Sequence, residues 1–191
     1  MEVEYGDLKP KKGGVDLTSK KILYDRAKVV TYAEKWWNGY NPAYRKIPDN
    51  DCTNFVSQCL RAGGAPMTFT RGAEKGWWYS GSGGARDSWS FSWVRAHSLR
   101  WFLGGSRTGL TAVQVADARE LSPGDVICYD FDGDGRWQHN TIVIAKDEDG
   151  QPLVNAHTYA SRNRPWSYQN SPAYTTNCRY LFFRINDWFL I

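Results

Sequence analysis

The run Asp51-Cys52-Thr53-Asn54-Phe55-Val56-Ser57-Gln58-Cys59-Leu60 opens on a helix-capping residue and sets apolar side chains at Phe55, Val56, Cys59 and Leu60. This three-to-four spacing predicts a helix with one buried face, ended by Gly63-Gly64. Cys52 falls in its first turn, where unpaired backbone N–H groups and the helix dipole favour a thiolate. Cys59 lies on the apolar stripe and reads as packing. Cys52, set beside Asp, Thr and Asn, is poorly placed for packing and is the candidate nucleophile.

Working outward, Thr18 or Ser19 can cap an earlier helix running to about Tyr40. Its apolar positions are Ile22, Val29, Val30, Ala33, Trp36, Trp37 and Tyr40, and Asn41-Pro42 stops it. The polar residues 1–17 read as a flexible arm before a single domain, 18–191. Residues 63–110 hold ten of the 18 glycines and little regular pattern apart from a short helix near Ser92–Leu103. They read as a loop-rich excursion with aromatic anchors, and such loops usually serve function. After Leu121-Ser122-Pro123-Gly124-Asp125 the period changes to two. Val126–Tyr129, His139–Ala145, Leu153–Thr158 and Tyr180–Ile185 are predicted strands. Helices followed by an antiparallel meander make an α+β layout.

At 191 residues and 21.8 kDa the chain suits one domain, and its 41% hydrophobic and 23% charged residues argue against wholesale disorder. No apolar run reaches the roughly 18–20 residues of a membrane span. Met1-Glu2-Val3-Glu4 lacks the pattern of a signal peptide. A net charge of +4 is too small to argue for nucleic acid, but it is unevenly spread. Residues 61–110 carry seven basic side chains against two acids, and five of the ten tryptophans. That segment suits an anionic or sugar-containing ligand, or simply surface arginines around a Trp-rich core. Trp77, Trp78 and Arg86 within it, with Tyr44 and with Trp137 beside a candidate histidine, are the candidate substrate contacts.

A thiolate needs a base, and the chain has three histidines. His97 lies in a helical stretch between Trp93 and Trp101 and reads as structural. His139 opens an apolar strand after a turn, placed to face a cleft, and His157 ends the next strand. A cysteine at a helix N-terminus with a histidine on a sheet is the arrangement of nucleophilic acyl transfer. A third polar group must orient the imidazole, and His157 is the first candidate, Asn155 the second. A five-residue hairpin loop, 146–150, sets His157 directly opposite His139.

The four cysteines lack CxxC spacing, which argues against zinc, and Cys52 and Cys59 are too far apart along one helix to bridge. Asp130-Phe131-Asp132-Gly133-Asp134-Gly135 matches the first half of an EF-hand loop, yet position 12 is Thr141 and a strand follows. It reads as an acidic turn. We expect no metal and no cofactor.

The run Asp51–Gln58 also resembles the signature of the bacterial "putative amidase domain" family, in the papain-like group with NlpC-type and CHAP cell-wall hydrolases. Further stretches match in order: Tyr24-Asp25-Arg26, Trp36-Trp37-Asn38, Tyr40-Asn41-Pro42, Ala62–Met67, Pro123–Ile127, Trp137–Asn140 and Asn155–Thr158. The resemblance covers roughly residues 22–180. It implies a papain-like fold in which the cysteine helix packs on the sheet bearing the histidine. Cys52 would attack an amide carbonyl, His139 would carry the proton, and a thioester would be hydrolysed. Tyr40 or Tyr44 would help hold the oxyanion, as an upstream tyrosine does in NlpC-type relatives; papain's glutamine is replaced by Lys46. The implied substrate is a bacterial cell-wall peptide, met by a monomer that is secreted or wall-associated. An acyltransferase with the same pair, or a Trp-rich wall-binding module, are the rival readings.

Overall fold

The computed structural model describes residues 20–48 and 50–191. The expected N-terminal arm and the caps at Thr18 or Ser19 lie outside them. In chain order, β1 (Lys21–Leu23) precedes α1 (Arg26–Trp36), and α2 (Cys52–Ala62) follows. Next come a small hairpin, β2 (Tyr79–Ser80) with β3 (Ser88–Trp89), and two helices, α3 (Phe91–Val94) and α4 (Ala96–Gly105). The rest is mainly sheet: β4 (Ala112–Val115), β5 (Val126–Asp130), β6 (His139–Lys146), β7 (Pro152–Ala156), β8 (Ser161–Pro165), β9 (Arg179–Ile185) and β10 (Trp188–Leu190). Six strands form one antiparallel sheet in the order β4-β9-β5-β6-β7-β8, and β1 pairs with β10. The layout is α+β.

The first helix starts later than its apolar pattern predicts. Ile22 pairs across to Phe189 as part of a strand, and the true cap is Asp25, whose Oδ1 accepts from Lys28 N–H at 3.0 Å. Three separated sequence motifs meet here. Arg26 donates to Asp125 Oδ1 (2.7 Å) and to the carbonyls of Pro123 and Ile185, while Tyr24 Oη donates to the Gly124 carbonyl at 2.7 Å. Gly63 closes the junction, because a Cβ there would lie 2.4 Å from Val29 Cγ2. These motifs clamp α1 and α2 to the sheet.

The sheet has a core on each face. Phe55, Val56 and Leu60 of α2 pack with Trp77, Trp93, Val126, Cys128, Ile142 and Phe183 on the helix side. Ile127, Tyr129, Phe131, Val143, Val154, Tyr168 and Phe182 form the other. The 63–110 excursion is therefore partly core: Trp77 is fully buried and donates from Nε1 to Ser57 Oγ at 3.0 Å. The helix predicted near 92–103 is broken at Arg95, whose backbone is extended.

The β6–β7 hairpin carries the decisive detail. Lys146 faces Pro152 and Ala145 faces Leu153, but beyond Ile144 the register slips, with Val143 opposite Val154 and Ile142 opposite Asn155. One extra residue forms a β-bulge, and side chains past it exchange faces. Carried on, this register sets Asn140 opposite His157. His139 is turned to the opposite face, so the even register expected from the sequence is not the one adopted.

Candidate active site

Cys52 begins α2, as its sequence position predicts, and α2 packs against β6. The thiol is fully buried. It donates to Asn50 Oδ1 at 3.3 Å and lies 3.7 Å from Thr53 Oγ1. Burial pushes it above the ordinary thiol range, opposed by the Asn140 backbone N–H and by Thr53. Asn50 itself is exposed and lines an open cavity of about 250 Å³.

His139 lines the same cavity, together with Phe131, Tyr168 and Tyr159. Its ring sits among Tyr129, Phe131 and Tyr168 at centroid distances of 5.6, 6.0 and 5.2 Å. Nε2 is 3.1 Å from Tyr168 Oη, and Nδ1 has no hydrogen-bond partner among the described residues. Burial, helped by the positive Arg164, holds the imidazole down to about 3. The ring is thus neutral near pH 7. In the tautomer that donates Nε2–H to Tyr168, the Nδ1 lone pair is free to take a proton. Among the described residues no hydrogen bond joins His139 to Cys52. Cys52 comes to the sheet from the α2 side and His139 lies on the other face; Asn50, which accepts from the thiol, lines the cavity that His139 lines.

His157 is bound elsewhere. Nδ1 lies 2.6 Å from Asp51 Oδ2 and Nε2 lies 2.7 Å from the Trp36 carbonyl, with the ring stacked on Phe55 at 4.1 Å. Both partners are acceptors, so one proton lies between His157 and Asp51. Asp51 Oδ1 also accepts from Ile47 N–H and Asn54 Nδ2, each at 2.9 Å. The residue read as a helix cap makes no side-chain cap bond; instead it ties the cysteine helix to the β7–β8 turn. Asn155 is equally committed, donating to Glu34 Oε1 at 2.8 Å and accepting from Asn163 N–H at 2.9 Å. Neither is hydrogen-bonded to His139. The group that holds His139 is Tyr168, which no periodicity or spacing singles out.

The other candidates are dispersed. Trp77 lies inside the core and presents no surface to a ligand. Trp78 is half-buried against Phe69, and Arg86 is exposed. Tyr44 is packed between Tyr79 and Trp93, 5.0 and 5.9 Å away, whereas Tyr40 is 45% exposed and borders a second cavity of about 280 Å³ with Asn50 and Asp51. Trp137 is buried beside Arg100. In the acidic turn, the Asp130 carboxylate accepts from Gly133 and Gly135 N–H, and among the described residues no His, Cys, Asp or Glu cluster has the makings of a metal site.

The family model described as a putative amidase domain matches residues 23–181. Among curated proteins, the uncharacterized protein YhbB of Bacillus subtilis (strain 168) is 58% identical over 168 residues, 88% of this chain and 52% of the relative. The uncharacterized protein YjcM of the same strain is 29% identical over 156 residues, 78% of this chain and 34% of the relative. The chain thus spans about half or less of the curated relatives it matches. No solved structure matches.

Proposed function

The chain belongs to the putative amidase domain family, and on that premise we propose that it hydrolyses an amide bond with Cys52 as nucleophile and His139 as base. The observation that supports this most is the placement of Cys52 at the head of α2, its thiol bonded to Asn50, which lines a cavity shared with His139. Burial raises the thiol and lowers the imidazole, so the resting pair is uncharged. Proton transfer from Cys52 to His139 accompanies attack rather than preceding it. The sulfur–carbon bond forms, the amine leaves with the proton from His139, and water then cleaves the thioester to a carboxylic acid and the free thiol. Displacement of the Asn50 side chain opens the thiol to the carbonyl. The Cys52 backbone N–H at the helix start is the first candidate to hold the oxyanion, and Tyr40, which borders the second cavity, is the side-chain candidate.

The resemblance to NlpC-type and CHAP hydrolases supports a bacterial cell-wall peptide as substrate, acted on outside the cell membrane. The test is release of new primary amines from purified cell-wall peptides and from simple peptide amides. Release by the wild type that disappears in Cys52→Ala and His139→Ala supports the reading. Release that persists in Cys52→Ala, or none from any amide, contradicts it. Diversion of product to an added amine would mark acyl transfer.

A further inference from the structure

Arg100 on α4 stacks its guanidinium 3.9 Å from the Trp101 ring centroid and 5.5 Å from that of Trp137. Its Nη1 is buried without a hydrogen-bond acceptor among the described residues, and Trp137 Nε1 is a second such donor. No carboxylate among them forms an ion pair with Arg100. A permanent cation with a buried, unanswered N–H is costly, and none of the described residues supplies an acceptor to the rest of the guanidinium. Its charge reaches into the core: burial pushes the Cys128 thiol up, and Arg100 opposes that shift.

Arg100 borders a cavity of about 400 Å³ between α4 and the β4–β9 edge of the sheet, walled by Leu181, Phe183, Gln114 and the α4 glycines. It shares no lining residue with the two cavities that Asn50 lines, and no acid lines it. Gly104 and Gly105 end α4 with ordinary helical signs of φ, so the backbone does not require glycine there. A Cβ on Gly104 would reach only Phe183, at 3.9 Å, and one on Gly105 would meet nothing within 4 Å. Two glycines cost helix stability, and what they leave is space. Trp101, 62% exposed, forms the rim.

We infer that this cavity binds a carboxylate with an apolar body, the carboxylate on Arg100 and the body against Leu181 and Phe183. The planar guanidinium fork matches a carboxylate bidentately, and the apolar wall of Leu181 and Phe183 suits an organic acid rather than an inorganic phosphate. The site is independent of the chemistry at Cys52.

Titration calorimetry with sodium benzoate as the probe tests this. Wild type is expected to bind benzoate saturably at one site, with benzamide, its uncharged counterpart, at least about tenfold weaker. Arg100→Gln should weaken benzoate by at least about tenfold. Gly104→Leu, which fills the cavity and keeps Arg100, should abolish binding, and it carries the test if Arg100→Gln does not fold. No saturable binding of benzoate, equal affinity for benzamide, or unchanged binding in either variant would overturn the inference.

Discussion

Removing Asp51 should damage the fold more than removing any surface carboxylate. Asp51 is 3% exposed and its carboxyl meets three groups: His157 Nδ1 at 2.6 Å, and the donors Ile47 N–H and Asn54 Nδ2 at 2.9 Å each. Asp51→Ala leaves a 5%-exposed imidazole unpaired and two further N–H groups without their acceptor. Breaking such a buried pair costs about 3–5 kcal/mol. For a chain of this length that is a fall in melting temperature of about 6–20 °C. Asp51→Asn keeps one oxygen for Ile47 and Asn54 and should cost less. A double-mutant cycle with His157→Ala isolates the pair, because the lost stacking on Phe55 cancels in the cycle. Urea unfolding followed by tryptophan fluorescence should return a coupling of about 2–3 kcal/mol, the upper part of the range for residues in contact. A coupling under about 0.5 kcal/mol, the value of an exposed pair, would refute the claim that Asp51 and His157 lock α2 to the sheet.

Three further outcomes follow from the same contacts. His139 titrates about 3 in the folded chain, below its unfolded value of about 6.5, so its neutral form favours folding. That stability is full above about pH 6.5 and is lost as pH falls toward 3, at up to about 1.4 kcal/mol per pH unit. Urea midpoints at pH 7 and pH 5 should therefore converge in His139→Gln relative to wild type. Tyr168→Phe removes the 3.1 Å partner of Nε2 and should lower turnover with substrate binding little changed, measured as kcat against KM. Gly63→Ala places a Cβ 2.4 Å from Val29 Cγ2 and 2.7 Å from Tyr24, and thermal unfolding should report a loss of about 1–3 kcal/mol.

Much of the frame was legible because it obeys local periodicity. The apolar stripe of α2 and the alternation of β5, β6, β7 and β9 appear in the residues themselves, and each predicted strand lies within two residues of its observed bounds. β8 was not legible, since Ser161-Arg162-Asn163-Arg164-Pro165 is a polar edge strand with no buried stripe. Nor was the bulge at Ile144, where Val143, Ile144 and Ala145 are all apolar and any of them fits either register. That one residue decides which face His139 takes. Trp77 misled for a related reason: glycine-rich surroundings suggest a surface loop, yet the indole reaches Ser57 across 20 residues and fills the core. Tyr168 carries no local signal, because its role depends on a turn after β8 folding back over β6. Asp51 reads as a cap, and only the tertiary approach of His157 gives it another partner.

The proposed reaction requires Cys52 as nucleophile with His139 as its base. An acyl-electrophile peptide probe, followed by intact mass and peptide mapping of the native protein, tests both at once. The predicted result is a single adduct on Cys52 in the wild type and none in His139→Ala, with Cys59 and the half-buried Cys178 unmodified. An adduct confined to Cys178, or equal labelling of Cys52 with and without His139, would contradict it.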